Sequence, residues 1–407
     1  MLQPKSTATT LLLAALVAVG PLATDMYLPA LPAIGRALNA DTDQVQLTLS
    51  IYMLGFALSQ LIYGPLADRF GRKPVILVGL VLFVLATVGC ALATSIEAMI
   101  ALRFLQALGG CAGPVLGRAA VRDIHGPREA ARVLSHLATA MALAPAVAPI
   151  AGGYLLVAAG WPSLFAVLAV YAVVITALVA VALPEPLSAD NRQPIRPGVI
   201  LANYAALLRS RTFVGYTLAC AFVFGGLFAF LSGSSFVLIE FLGVPEQRYG
   251  LYFMLVVFGY MSGTIFAGQL SRRWGVNRLM LCGSLLACTA GIGMAALSAA
   301  GVYHIAAVIG PHMLFMMSVG IVMPQAMAGA IGPFPSMAGS ASALLGFIQM
   351  AVAAGAGALV GALHDGTSHS MAFIIGVMGV GTLASFLFVV RPANPVRAVS
   401  SVTASAD

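Results

Sequence analysis

Charged side chains are scarce in this sequence. They make up 8% of its 407 residues, whereas 60% of the residues are hydrophobic. A soluble domain carries about 25% charged residues. A chain with so few charges cannot cover itself with polar surface in water, which excludes a soluble globular fold and indicates an integral membrane protein.

Cysteines and acidic residues are also few, at 5 and 13 respectively. The cysteines lie singly in apolar stretches, and their odd number argues against a disulfide framework. The acids are spread singly as well, so neither group shows the spacing of a metal site. We therefore expect no metal, no cofactor and no enzyme activity, which argues against a membrane-embedded enzyme.

Long apolar runs dominate what is present. A helix needs about 20 apolar residues to cross a bilayer. The runs between polar breaks predict an all-α membrane protein of twelve transmembrane helices in two pseudo-symmetric six-helix bundles, with spans at 10–29, 45–66, 75–93, 97–118, 133–158, 162–183, 212–234, 249–270, 277–297, 302–327, 338–363 and 371–390. The longest polar stretch separates a first bundle (1–184) and a central cytoplasmic linker (185–211) from a second bundle (212–407).

Basic residues are distributed unevenly between the predicted connections. Seventeen of the 20 lie in the even-numbered connections and the terminal segments; only Arg36 and Arg248 lie in odd-numbered connections, and Arg103 lies inside span 4. Because cytoplasmic connections carry the excess of lysine and arginine, both termini are expected in the cytoplasm. This arrangement explains the net charge of +7, so no nucleic acid partner is expected.

The loop between spans 2 and 3 has a distinctive sequence, Gly64-Pro-Leu-Ala-Asp-Arg-Phe-Gly-Arg-Lys73. Its cations alone could serve only to fix the topology, but this leaves the glycines, which permit close backbone approach, and the single Asp68 unexplained. A shift of 204 residues places the loop on Gly268-Gln-Leu-Ser-Arg-Arg-Trp-Gly-Val-Asn277, where Arg272 replaces the acid. A weak internal repeat of this kind is expected of two six-span halves around a central cavity.

This loop resembles the signature between spans 2 and 3 of the major facilitator superfamily of secondary transporters. The resemblance implies a cytoplasmic gate, in which Asp68 lies against the amino end of span 11 (336–342) while the protein faces outward and leaves it when the protein faces inward. The residues that the resemblance and their position assign to the gate are Gly64, Asp68, Arg69, Gly71 and Arg72, with Arg122 and Asp123 after span 4 as an ion pair.

Asp25 is an acid within span 1. Such a residue costs about 2.5–3.5 kcal/mol at the centre of a bilayer and normally faces a cavity or a partner. The alternative is an acid at the outer interface, since Pro29 and Pro32 follow soon after. The stretch Leu-Ala-Thr-Asp-Met-Tyr-Leu-Pro-Ala, residues 22–30, resembles the span-1 signature of drug:proton antiporters of the bicyclomycin/chloramphenicol-resistance (Bcr/CflA) subfamily. The resemblance implies that Asp25 is the site of proton coupling.

Arg103 is the second charge within a span. The stretch Arg103-Phe-Leu-Gln-Ala-Leu-Gly109 resembles the family's span-4 signature R-x-x-Q-G, with its glycine displaced. We expect Arg103 to interact with the acid of the cavity and to influence its protonation, and Gln106 to offer a neutral hydrogen-bonding group to the substrate. The alternative for Arg103 is a side chain that reaches the membrane interface.

Span 5 contains Pro145, Pro149, Gly152 and Gly153. Prolines bend a helix and small residues allow close packing in membrane bundles, so kinked packing alone would explain them. The segment also resembles the antiporter signature G-x-x-x-G-P-x-x-G-G, although Ala144 stands before the first proline. The resemblance favours export over import.

Aromatic residues are frequent in spans 7 and 8. We expect Phe224, Phe228 and Tyr260 to line the substrate cavity with Asp25, and the other aromatics of these spans to face lipid or neighbouring helices. His312, next to Pro311 in span 10, could take a proton, but a packing role is the simpler interpretation.

Together these features predict a transporter of the bacterial inner membrane, in contact with lipid and acting as a monomer. It would export small amphipathic drug-like compounds in exchange for protons by alternating access. The alternative on the same fold is a proton symporter or an exporter of one specific metabolite. A passive channel would need neither the gate nor the buried acid.

Overall fold

A computed structural model of the chain describes residues 6–188, 190 and 192–391, without the side chains of 126–128, 131, 132, 135, 136, 138–143 and 272. The described residues form helices and short connections, with no strand among them. This confirms the all-α prediction.

The first half of the chain contains six membrane spans. Span 1 is Thr7–Asp25, followed by a short turn, Leu28–Ala30, and the helix Leu31–Leu38. Spans 2, 3 and 6 are Thr42–Phe70, Arg72–Ala91 and Pro162–Ala182. Span 4 begins as Ile96–Gly110 and continues into the helix Ala112–Ala159, whose apolar end, Ala144–Ala159, occupies the place of span 5.

The second half repeats this order. Span 7 is Arg211–Ser235, extended by a wider turn, Phe236–Phe241. Spans 8 and 9 lie within the assignment Glu246–Ala299, spans 10 and 11 are Ile305–Ile331 and Ala338–Ala362, and span 12 is His369–Ala384 with Ser385–Val390. Within the described residues, 11 helices are long and apolar enough to cross a membrane. With the shorter Ala144–Ala159, they match the twelve predicted spans.

Two stretches predicted as polar connections are helical instead. The backbone from Ala112 to Ala159 is helical throughout, including the predicted connection after span 4. The central linker contains the helix Pro197–Arg209, which starts with a proline in its first turn, where the missing N–H is not needed. Polar residues were used to predict where each span ends. Arginine, glutamate and alanine also favour helix, so the helices extend beyond their apolar parts.

The turns after spans 2 and 8 have the same backbone geometry. Gly71 has φ 98° and ψ 157°, and Gly275 has φ 70° and ψ 169°. These two glycines are related by the same shift of 204 residues that aligns the two loop sequences. Positive φ is accessible to glycine at little cost. The two loops therefore share a backbone conformation as well as a sequence pattern.

In the described residues, the hydrogen bonds between the two halves lie toward the end of the bundle where spans 1 and 7 end, called here the far end. Ser235 Oγ on span 7 donates a hydrogen bond of 2.6 Å to the carbonyl oxygen of Leu28 after span 1. Ser232 Oγ donates to Gln46 Oε1 on span 2 over 3.3 Å. Between the halves, from mid-membrane toward the end where span 1 begins (the near end), lies a cavity of about 450 Å³.

A substitution at Gly71 should destabilise the protein more than one at Gly64. A Cβ at Gly71 would lie 2.7 Å from Glu185 Oε2 and would force a side chain into positive φ, at a cost of order 1–3 kcal/mol. At Gly64 nothing lies within 4 Å of the corresponding position, and alanine is the better helix former. We expect Gly71→Ala to lose monodispersity in detergent at lower temperature than the unaltered protein, and Gly64→Ala to match or exceed it. Equal loss in both variants would contradict this.

Candidate functional site

The cavity between the halves has a largely apolar wall. Its lining includes aromatic residues from both halves and several methionines: Tyr52, Phe56, Phe224, Phe228, Phe253 and Tyr260, with Met53, Met316, Met323, Met327 and Met350. The larger polar groups in the wall are Asp25, Arg118, Gln60 and Gln349. Such a wall makes many contacts of low directionality, with a small number of groups that can orient a bound molecule.

Asp25 lies at the end of the regular helix of span 1. The chain then passes through a turn that contains Pro29, which has no N–H to continue the hydrogen-bond pattern. The side chain is 5% exposed and lines the cavity. Within the described residues its carboxyl group makes no hydrogen bond and no ion pair. Asp25 therefore presents an unpaired carboxyl group to the cavity.

Arg103 is fully buried in the first bundle and does not line the cavity. Its guanidinium carbon lies 4.5 Å from the ring centroid of Tyr27 and 4.3 Å from that of Tyr52. Nη1 donates to the carbonyl oxygen of Ala23 over 3.1 Å and to Gln106 Oε1 over 2.6 Å. The side chain thus does not reach the membrane interface. Its link to Asp25 is indirect, through the span-1 backbone two residues earlier.

Gln106 lies behind the cavity wall. It is fully buried, accepts from Arg103 and donates through Nε2 to Thr87 Oγ1 over 2.8 Å. Gln106 therefore does not line the cavity in this conformation, because its amide is bonded within the bundle, and the expected contact with substrate stays a prediction. The other expected cavity residues, Phe224, Phe228 and Tyr260, are among the lining residues.

The loop after span 2 forms an ionic cluster. Arg72 Nη1 lies 2.7 Å from Asp68 Oδ1, and Arg72 Nε donates to Asp123 Oδ2 over 2.8 Å. Asp123 thus pairs with Arg72, and not with the exposed Arg122 as the sequence suggested. The guanidinium of Arg69 lies over the ring of Phe70. No hydrogen bond or ion pair between described residues joins Asp68 to the start of span 11.

Glu185, at the start of the linker, was not singled out from the sequence. Its Oε1 accepts from the backbone N–H of Arg72 over 2.8 Å, and its Oε2 accepts from that of Lys73 over 3.1 Å. These amides begin span 3, where backbone donors lack internal partners and the helix dipole favours an anion. Glu185 is the first acid after span 6, but no local pattern could show that it reaches back to this helix.

Span 5 lies at the interface between the two halves. A Cβ at Gly152 would collide with the carbonyl oxygen of Met26, directly after Asp25, and one at Gly153 would lie 2.6 Å from the carbonyl oxygen of Glu246 on span 8. Pro145 lines the cavity and Pro149 is buried. The small residues therefore allow span 5 to contact span 1 in its own half and span 8 in the other.

Comparison with known sequences places this geometry in a family. The profile described as Major Facilitator Superfamily matches residues 13–358. The chain belongs to this superfamily. Transporters of the superfamily move small molecules, in many cases together with protons. As a member, the chain is an integral membrane protein.

Several curated members of the superfamily are similar over most of the chain. A bicyclomycin resistance protein homolog of Haemophilus influenzae is 33% identical over 361 residues, covering 87% of this chain and 89% of the relative. Multidrug resistance protein D of Escherichia coli is 32% identical, covering 83% and 84%. A chloramphenicol resistance protein of Pseudomonas aeruginosa is 31% identical, covering 83% and 80%.

A solved structure confirms the fold. The crystal structure of a D-xylose–proton symporter superposes with a TM-score of 0.70 at 16% sequence identity, covering 96% of this chain and 99% of the symporter. At this identity the likeness shows the superfamily fold of two six-helix bundles and carries nothing about substrate.

His312 is enclosed in the second bundle. Its ring stacks on Phe230 at a centroid distance of 3.8 Å and on Phe315 at 5.8 Å. The residue is fully buried, and within the described residues neither ring nitrogen has a hydrogen-bond partner. It does not line the cavity, so the structure gives it a packing environment.

An ionic bridge joins the halves of this superfamily member at the far end. Arg36, on the helix after span 1, lies 3.3 Å from Glu240 Oε1 and 3.1 Å from Glu246 Oε1. Both acids belong to the second half, at the end of span 7 and the start of span 8. Any motion that separates the halves at the far end must break both contacts.

Reversing the charge at Arg36 should therefore open the far end. Exposed pairs are worth about 0.2–1 kcal/mol each, so Arg36→Glu should change the population of the open form several-fold, because it replaces two attractions by repulsions. The measurement is the alkylation rate of Ser232→Cys, in a background without the native cysteines. Arg248→Glu, the same change at an exposed far-end cation outside the bridge, is the control. Equal rates in both variants would show that the bridge does not hold this end closed.

Proposed function

We propose that this chain is a proton-coupled antiporter that exports small amphipathic drug-like compounds. The observation that carries the proposal is the unpaired, 5% exposed carboxyl group of Asp25 in an apolar cavity between the two halves. The names of the relatives, which refer to bicyclomycin, chloramphenicol and multidrug resistance, support the same class of substrate.

Coupling follows from the surroundings of Asp25. An isolated charge in an apolar site is costly, and either a proton or a substrate group that donates to the carboxylate removes that cost. The two ligands therefore exclude each other at one group, which is the requirement for exchange. Arg103 acts as a positioning residue, because it holds the Ala23 carbonyl two residues before the acid and stacks on Tyr52 in the cavity wall.

The cavity wall favours many related substrates over one. Methionine is flexible and polarizable and adapts to different shapes, and aromatic rings provide large apolar contact area. The alternative, a proton symporter or an exporter of one polar metabolite, would need a denser set of directional groups. The wall has few of these, with Asp25, Arg118, Gln60 and Gln349 as the larger ones. The small residues of span 5 are a further support, through their resemblance to the antiporter signature.

The distribution of arginines and lysines supports a bacterial inner-membrane protein with both termini in the cytoplasm. In that orientation the far end is the outer side, and the cavity lies on the cytoplasmic side of a closed outer end. The conformation is then inward-facing. The absence of an ion pair or hydrogen bond from Asp68 to span 11 in the described residues fits a gate that is disengaged in this state. We propose a monomer that contacts lipid and has no enzyme activity, with bundles at 1–184 and 212–407 joined by the linker 185–211.

Asp25→Asn should abolish proton-driven transport. The amide keeps the volume of the side chain but cannot exchange a proton, so binding of uncharged substrates should persist. The measurement is substrate accumulation in inverted vesicles under an imposed pH gradient. Asp25→Glu should retain partial activity. The exposed acid at the start of span 2 provides the control Asp43→Asn, which should transport normally. Accumulation by Asp25→Asn at the normal rate would refute the assignment.

Asp68→Asn should weaken cytoplasmic closure. The first amides of span 11 carry the positive end of a helix dipole, and a carboxylate there gains about 0.3–1 kcal/mol, up to about 2 when partly buried. Without it, the alkylation of cysteines introduced at the cytoplasmic end of span 11 should be faster and turnover slower, while substrate binding remains. The exposed acid of the linker supplies the control, Asp190→Asn. Unchanged alkylation with intact transport would exclude Asp68 from the gate.

A further inference from the structure

We propose that Arg118 binds the anionic end of an elongated amphiphile whose other end reaches Asp25. This rests on the proposed transport function and names the class of substrate that the same cavity would accept: compounds with an apolar body and a carboxylate at one end. The sequence placed Arg118 among the cations at the cytoplasmic end of span 4, where it explained only topology. The structure places it in the cavity wall.

The guanidinium of Arg118 is largely uncommitted. Its Nε donates to the carbonyl oxygen of Pro114, one turn earlier on the same helix, over 2.8 Å. This contact fixes the direction of the side chain. No carboxylate of the described residues pairs with it. By contrast, Arg72 in the neighbouring loop is paired with two carboxylates, those of Asp68 and Asp123. A guanidinium has five donors in a planar fork that matches a carboxylate, so four donors of Arg118 remain for a ligand.

Arg118 and Asp25 are the two charged residues of the cavity wall, and they lie toward opposite ends of it. Spans 1 and 4 cross at Gly20, where an added Cβ would lie 3.3 Å from Pro114 Cγ. Asp25 is five residues beyond this crossing toward the far end, and Arg118 is four residues beyond it toward the near end. At 1.5 Å per residue, the Cα atoms of the two residues are separated by about 13 Å along the bundle axis. In the described residues no hydrogen bond or ion pair joins their side chains.

The rest of the cavity wall is largely apolar, with Gln60 and Gln349 as its larger uncharged polar groups. Phe224, Phe228 and Tyr260 lie among its lining residues, together with the methionines. A ligand that fills the cavity would place its apolar body against this wall. One of its polar ends would lie at Arg118 and the other at Asp25. The ligand carboxylate binds at Arg118 and not at the proton site, so exchange with the proton depends on the opposite end of the ligand, at Asp25. Arg118 then determines which compounds are accepted, while Asp25 couples their transport to protons.

The experiment compares two fluorescent probes that share one apolar body. Dansylglycine carries a carboxylate, and dansylglycinamide is its neutral amide. Binding to purified protein in detergent is followed by dansyl fluorescence, without any proton gradient. We expect the unaltered protein to bind dansylglycine about tenfold more tightly than the amide, because a hydrogen bond to a charged group contributes more than one between neutral groups.

Arg118→Met should reduce this ratio to about one while the affinity for dansylglycinamide remains, which also shows that the variant is folded. Arg118→Lys should keep part of the preference, since the charge remains but the planar fork is lost. Arg209→Met removes an exposed cation from the end of the linker helix and should leave the ratio unchanged.

An unaltered ratio in Arg118→Met would overturn the proposal, and so would an unaltered protein that does not prefer the carboxylate. Because the assay measures binding without a gradient, its outcome is separate from that of the transport measurement on Asp25→Asn. A failure of coupling would leave the ratio intact, and a failure of carboxylate recognition would leave proton-driven transport of neutral compounds intact.

Discussion

Asp25 and Arg103 are two of the buried charged residues of the first bundle, and their surroundings differ. Arg103 is held between two tyrosine rings and donates to a backbone carbonyl and to Gln106. Asp25, two residues beyond that carbonyl, has no polar partner in the described part of the chain. A charge within a membrane protein normally requires such partners. The bundle therefore holds the Arg103 cation with rings and acceptor oxygens, although its Nε and Nη2 have no hydrogen-bond partner in the described residues. A partner for the Asp25 carboxyl group must come from the cavity.

In the described residues, the ion pairs and hydrogen bonds between the two halves lie at the far end. At the far end, Arg36 reaches two acids of the second half, and Ser235 bonds to the backbone after span 1. Span 5 and span 8 approach closely through Gly153. At the near end, the ionic cluster of Asp68, Arg72 and Asp123 lies within the first half. At the far end, charged groups of one half attract those of the other, whereas at the near end the charged groups pair within the first half. This difference allows one end to be closed while the other is open.

Much of the fold could be predicted from sequence because apolar length and the position of cations are local properties. Twelve spans and two halves followed from them, and the loop that begins at Gly64 and its repeat at Gly268 located the pseudo-symmetry. The cavity-lining positions of Phe224, Phe228 and Tyr260 agree with what their spans suggested. Arg118, Glu185 and the partners of Arg36 could not be found in this way. The contacts of each depend on which helices become neighbours. The same holds for Gln106, which bonds to Arg103 and Thr87 inside the first bundle and does not line the cavity.

The linker is fastened to both halves. Glu185 holds its beginning on span 3, and the backbone N–H of Gln193 donates to the carbonyl oxygen of Asp68 over 3.0 Å. Its helix contacts span 11, where Asn203 Nδ2 donates to Ser340 Oγ over 3.4 Å. Between Gln193 and the helix that starts at Pro197, four chain steps can reach about 13 Å when fully extended. This short segment limits how far the two bundles can separate at that end while the Gln193–Asp68 hydrogen bond remains. A larger separation would break that bond, so the linker couples the distance between the bundles to the backbone of the gate residue Asp68.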